Sequence, residues 1–157
     1  MTPFDRFYET EYERVLRAAL LATGDRDAAR DATQEAFKRA FMRWRRLGRE
    51  PWAGGWVMTT ALNLCRRRAR DARREEELLV RTFERPAAAV ADGTAADTIA
   101  ALRRLPFRQR QATILYYWGD LPVATVAELM GAAEGTVRAL LAQARSSLRT
   151  MLEVSDV

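Results

Sequence analysis

The side chains best suited to chemistry in this chain are arginines set at helical spacing near its end. The stretch ELMGAAEGTVRALLAQARSSL runs from Glu128 to Leu148. At about 100° per residue, Arg138, Ala142, Arg145 and the following Arg149 fall together on one flank of a helix. Val137, Leu141, Ala144 and Leu148 fall on a separate line, flanked by Leu140 and Leu152, and are expected to face a core. A packed side beside a row of arginines and small residues suits a nucleic-acid groove, where an arginine fork can meet guanine edges or phosphates. The same row would also serve as a solvated basic face.

Three further sets stand out. Asp31, Gln34 and Glu35 lie on successive turns of one helix, away from its apolar stripe, and offer a polar face that suits a protein partner or simply water. Arg66, Arg67, Arg68, Arg70, Arg73 and Arg74 form a basic run that can follow phosphates or remain solvated, and Asn63 precedes it. Trp56 could stack on a base, although its apolar neighbours favour a core role. Cys65 sits among apolar residues at helical spacing and reads as a buried structural thiol.

Composition removes other classes. The chain has no histidine and one cysteine, so it offers no imidazole base, no histidine metal ligand and no internal disulfide. No nucleophile–base pair or metal cluster can be drawn, so neither an enzyme nor a cofactor is expected. The formal net charge is +5, and Lys38 is the sole lysine among 26 basic residues. That balance favours a polyanionic partner. The N-terminus, MTPFDRFYETEYER, is charged, and no run approaches the ~18 apolar residues of a membrane helix. A cytoplasmic protein without membrane insertion or a small-molecule substrate is expected.

The elements that must position these residues are helices. Phe4, Phe7, Tyr8, Tyr12, Val15, Leu16, Ala19 and Leu20 make one stripe ending near Gly24. Asp25 can cap a second helix, with Ala29, Thr33, Ala36, Phe37, Ala40, Phe41 and Trp44 as its stripe. A third runs from about Trp56 into the arginines, with Val57, Thr60, Ala61, Leu64 and Cys65 inward. Residues 80–97, rich in alanine with Pro86 and Gly93, read as a linker that spans ~60 Å when extended. Beyond it, Ile99, Leu102 and Leu105, then Ala112, Ile114, Leu115 and Trp118, give two stripes around Pro106. A short helix from about Val123 to Met130, a break at Gly131 and a last helix from near Glu134 make a helix-turn-helix pattern. The fold expected is all-α: two small helical domains, residues 1–75 and 98–157, joined by a flexible linker over 76–97.

Both blocks together resemble the extracytoplasmic-function sigma factors of bacterial RNA polymerase, in the sigma-70 family. DATQEAF (Asp31 to Phe37) and WVMTTALNLCRRR (Trp56 to Arg68) resemble its region 2. LRRLPFRQRQATILYYWGDLPVATVAELMGAAEGTVRALLAQAR resembles its region 4, with Leu-Pro-x-Arg-Gln-Arg and Glu-Gly-Thr-Val as the clearest marks. The resemblance implies a factor that binds core polymerase and directs it to promoter DNA. Asp31, Gln34 and Glu35 would face the polymerase clamp. Asn63, Arg66, Arg67, Arg68 and Arg70 would hold the melted proximal promoter box. The second block would bind the distal box as duplex through Thr136, Arg138, Ala139, Ala142, Arg145 and Arg149. An anti-sigma protein is a further partner that the resemblance admits.

The chain departs from the family pattern in places. Arg30 replaces a usual acid, Ala133 a usual serine cap, and Leu140, Ala142 and Gln143 positions that are often polar or basic. Two rival functions therefore stay open: a sigma-like helical scaffold that does not initiate transcription, and a helix-turn-helix repressor that works without polymerase.

Overall fold

The structure is a computed structural model that describes residues 1–78 and 93–155. Every regular element among them is helical, as expected. Helix α1 (Pro3–Thr23) opens on a reciprocal cap: the Asp5 N–H donates to Thr2 Oγ1 at 3.1 Å, and the Thr2 N–H donates to Asp5 Oδ2 at 2.9 Å. It ends at Gly24, whose φ of 66° is left-handed and whose N–H returns to Leu20 O. Asp25 then caps α2 (Arg26–Met42), accepting from the N–H groups of Asp27 and Ala28 at 3.0 and 3.2 Å. A single turn, α3 (Trp44–Leu47), lays Trp44 against Phe4 and Phe7, and α4 (Ala53–Leu78) crosses both α1 and α2.

The second block comprises α5 (Gly93–Arg103), α6 (Phe107–Thr113), a π-helical turn at Ile114–Trp118, α7 (Val123–Met130) and α8 (Glu134–Ser155). Of the joint expected over 76–97, residues 76–78 close α4 and 93–97 open α5. Its centre lies outside the described residues.

The two blocks pack on each other. One apolar cluster runs from Val15, Phe37 and Val57 of the first to Leu115, Val126 and Val137 of the second. A smaller one joins Leu102, Leu105 and Ala144 with Leu21. This packing explains α4. Val57, Ala61, Leu64 and Cys65 are buried as their spacing requires, but so are Met58 and Leu62, each 2% exposed or less. Burying side chains of that kind contributes roughly 1.5–3 kcal/mol apiece.

Four residues expected inward are exposed: Tyr8, at the margin of the α1 stripe beside Tyr12 and Phe37, and Phe41, Trp118 and Leu152. Trp118 is 41% exposed because the π turn, closed by the Gly119 N–H on Ile114 O at 2.9 Å, inserts a residue and rotates the end of the helix. Phe41 lies past the last buried residue of α2, Ala40, and packs edge-on with Phe4 at 5.1 Å between centroids. Leu152 is exposed because the α8 stripe continues from Leu148 by a step of three, to Met151.

Candidate nucleic-acid interface

The pair α7–α8 is built around a tight corner. Gly131 takes a φ of 64°, and the Ala132 N–H reaches back to Ala127 O at 2.9 Å, so the carbonyl end of α7 is satisfied. Arg108 of α6 adds a donor to Met130 O at 3.3 Å. α8 then rests on Val137, Leu141 and Ala144, each 3% exposed or less. Its opposite side leaves Thr136, Arg138, Ala139, Ala142, Arg145 and Arg149 all exposed. Arg138 pairs with Glu134 one turn earlier at 3.6 Å. Such an exposed pair is worth only about 0.3–0.5 kcal/mol and yields readily to a better partner. Arg145 donates to the Tyr117 hydroxyl at 3.1 Å, which draws the exposed π turn into the same surface. Ala133 offers no side-chain cap, and only its carbonyl takes part, accepting the Val137 N–H at 3.1 Å.

In the first block, Asp31 and Gln34 are exposed and Glu35 is half-buried. Asp31 does not stand free: Arg68 pairs with it at 3.1 Å. Glu35 pairs with Arg39 at 3.3 Å. Gln34 borders a shallow apolar pocket lined by Phe4, Tyr8, Phe37, Lys38 and Phe41. Arg67 and Arg70 are exposed and make no ion pair among the described residues.

The other two residues expected at the proximal box, Asn63 and Arg66, meet the second block. Asn63 is exposed, yet its Oδ1 accepts from Gln111 Nε2 at 2.9 Å. The Arg66 guanidinium lies over the Phe107 ring, 4.7 Å from its centroid. Trp56 is half-buried, with Arg43 over its ring at 5.7 Å.

The residue that sequence reading missed is Arg110. Its guanidinium donates to the carbonyls of Leu102, Arg103 and Leu105, each at 3.0 Å, and to Ala22 O in the first block at 3.1 Å. Burial, then the charges of Arg103 and Arg73, lowers its pKa. Its place in the Leu-Pro-x-Arg-Gln-Arg run was the only signal, and nothing there separates a clasp from a surface arginine. Cys65 is buried, and desolvation raises its pKa from the ordinary 9.0 to about 12, so it is a thiol rather than a nucleophile at neutral pH. Among the described residues no set of three potential metal ligands gathers, and no helix is long and apolar enough to cross a membrane.

Two family models match the chain: sigma-70 region 2 over residues 7–75 and sigma-70 region 4 over residues 96–148. Among solved structures, the fold is similar to the sigma factor RpoE of Bartonella quintana, solved with the anti-sigma factor NepR. That match has a TM-score of 0.75 and 21% identity over 98% of this chain and 99% of that one. A chain of the RsbN–BldN complex aligns over 94% of this chain and 90% of that one at 27% identity, with a TM-score of 0.36. No curated protein sequence gives a significant match. With both signature regions present in order, on the bundle and the helix-turn-helix just described, the chain belongs to the sigma-70 family as a sigma factor of the extracytoplasmic-function type.

Proposed function

We propose that the protein binds core RNA polymerase and directs it to promoters with two boxes. Residues 1–75 form the polymerase-binding and melting part, residues 98–157 the distal-box part, and residues 76–97 the joint. Asp31, Gln34 and Glu35 face the polymerase clamp. Asn63, Arg66, Arg67, Arg68 and Arg70 hold the melted proximal box, and Arg138 reads a base edge of the distal box. Thr136, Arg145 and Arg149 hold phosphates, while Ala139 and Ala142 allow close approach. The observation that carries this reading is the bare flank of α8, where three arginines and two alanines are exposed beside a fully packed core line.

Asn63 and Arg66 are engaged by Gln111 and Phe107 of the second block. Use of both DNA surfaces therefore requires the blocks to separate. An anti-sigma protein, the partner of the Bartonella quintana RpoE, is proposed here also, as a protein that favours the packed arrangement.

A pull-down tests the polymerase contact. The Asp31→Lys, Glu35→Lys double variant is expected to lose core polymerase while keeping its helicity, and normal retention would reject the contact. The scaffold reading draws on the thin base-reading end of α8, where Arg138 is the one long polar side chain proposed to reach base edges. Run-off transcription separates the two readings.

A further inference from the structure

Between the blocks lies a cleft of about 1480 Å³ with three walls: the α1–α2 corner, the arginine run of α4, and the α5–α6 corner. Eight of its twenty lining residues are arginine, and only Asp25 and Asp27 are acidic. Asp25 is already engaged, capping α2. Some of the arginines are also engaged: Arg68 holds Asp31, Arg66 covers Phe107, and Arg110 is spent on backbone carbonyls. Arg70 and Arg73 on one wall, and Arg103 and Arg104 on another, make no ion pair among the described residues.

Like charges gathered from both blocks repel one another at close range, and partly enclosed charges are screened by salt less than exposed ones. The packed arrangement therefore carries an unneutralised cationic seam.

We infer that this cleft is a binding site for a small multivalent phosphate anion, a linear polyphosphate, which bridges α4 to the α5–α6 corner and so holds the two blocks together. The site goes beyond the promoter-directing role; it shares Arg66, Arg68 and Arg70 with the surface proposed for the melted proximal box, and it belongs to the packed arrangement of the blocks. Arginine forks suit phosphate oxygens. Single-stranded nucleic acid fits less well, because its binding draws on aromatic platforms for the bases. The one aromatic ring in the lining, Phe107, is already covered by the Arg66 guanidinium. A duplex does not fit within a cleft closed on three sides.

The test is calorimetric titration of the full-length protein with tripolyphosphate, with a thymidine oligonucleotide of equal charge run in parallel. One tripolyphosphate per chain is expected, bound more tightly than the oligonucleotide. The double variant Arg103→Glu, Arg104→Glu should weaken it at least about tenfold. Arg45→Glu with Arg46→Glu, on α3 and outside the cleft, should change it far less, and circular dichroism checks that both variants stay folded. Equal loss in the two double variants would reduce the effect to net charge and overturn the site. Tighter binding of the oligonucleotide, lost in Arg103→Glu, Arg104→Glu, would overturn it in favour of a single-strand groove.

Discussion

Gln111 and Asn63 meet across the seam between the blocks, with the Gln111 amide donating to Asn63 Oδ1 at 2.9 Å. Gln111 is 1% exposed, and its own Oε1 is buried with no hydrogen-bond partner among the described residues. A buried acceptor left unpaired costs about 1–3 kcal/mol. The contact therefore closes the seam while leaving one polar atom unsatisfied.

Two substitutions at Gln111 should consequently differ in sign or size. Gln111→Met keeps the volume and removes the orphaned oxygen, so stability should change by less than about 1 kcal/mol, in either direction. Gln111→Ala opens a cavity and should cost about 2 kcal/mol or more. Urea denaturation of both variants decides this, and equal losses would refute the role given to the orphaned oxygen.

Gly55 sets the closeness of the blocks. A Cβ there would sit 2.9 Å from Leu121 Cδ1 and 3.0 Å from Leu129 Cδ1. Those leucine tips can shift for a methyl but not for a larger side chain. Gly55→Leu should wedge the seam open at a cost of about 1–3 kcal/mol, while improving the helix propensity of α4. Small-angle scattering should show a larger radius of gyration with helicity retained. An unchanged radius at full stability would mean that the seam tolerates the wedge.

Cys65 gives a pH dependence. Its thiol stays protonated in the folded state up to about pH 12, whereas in the unfolded chain it titrates near the ordinary 9.0. The unfolded state loses the proton first, so this group's contribution is complete below about pH 8.5 and declines as pH rises toward 12. Cys65→Ala should flatten the fall in stability between pH 8 and 10 relative to the parent. Thiol labelling at pH 8 should proceed only as fast as the chain unfolds, and fast labelling of the folded protein would contradict the burial of this thiol.

Two of the three arginines of α8, Arg138 and Arg145, should divide the work. Arg138→Ala is expected to cost about 1–3 kcal/mol on the preferred duplex and relax preference at one base position. Arg145→Ala should weaken all sequences alike and flatten the salt slope by about one unit. Binding of the full-length protein to preferred and scrambled duplexes across salt concentrations measures both. An unchanged ratio between duplexes in Arg138→Ala would remove its reading role.

Features set by local physics were legible in the sequence. The Asp25 cap, the Gly24 and Gly131 corners and the Val137–Leu148 line each depend on a few neighbouring residues, and the structure has them where spacing put them. Trp118 was misplaced because a π turn changes the period that such reasoning assumes. Met58 and Leu62 fall off the expected stripe of α4 because a second block covers that helix from the other side. The candidate site shows the same division. The outward flank of α8 was legible from one helix alone, whereas the ties from Asp31 to Arg68, Asn63 to Gln111 and Arg66 to Phe107 join residues far apart in the chain. The clasp made by Arg110 needs carbonyls from two blocks, which no spacing within α6 encodes.

The most direct measurement of the central claim is run-off transcription. Core polymerase and the purified protein are given fragmented genomic DNA, and the transcript starts are sequenced. A sigma factor that reads two boxes should yield a small set of discrete starts preceded by two shared boxes, absent with core polymerase alone and lost with the Asp31→Lys, Glu35→Lys variant. A protein that binds core polymerase yet yields no discrete starts, or that binds DNA without core polymerase at all, would contradict that role.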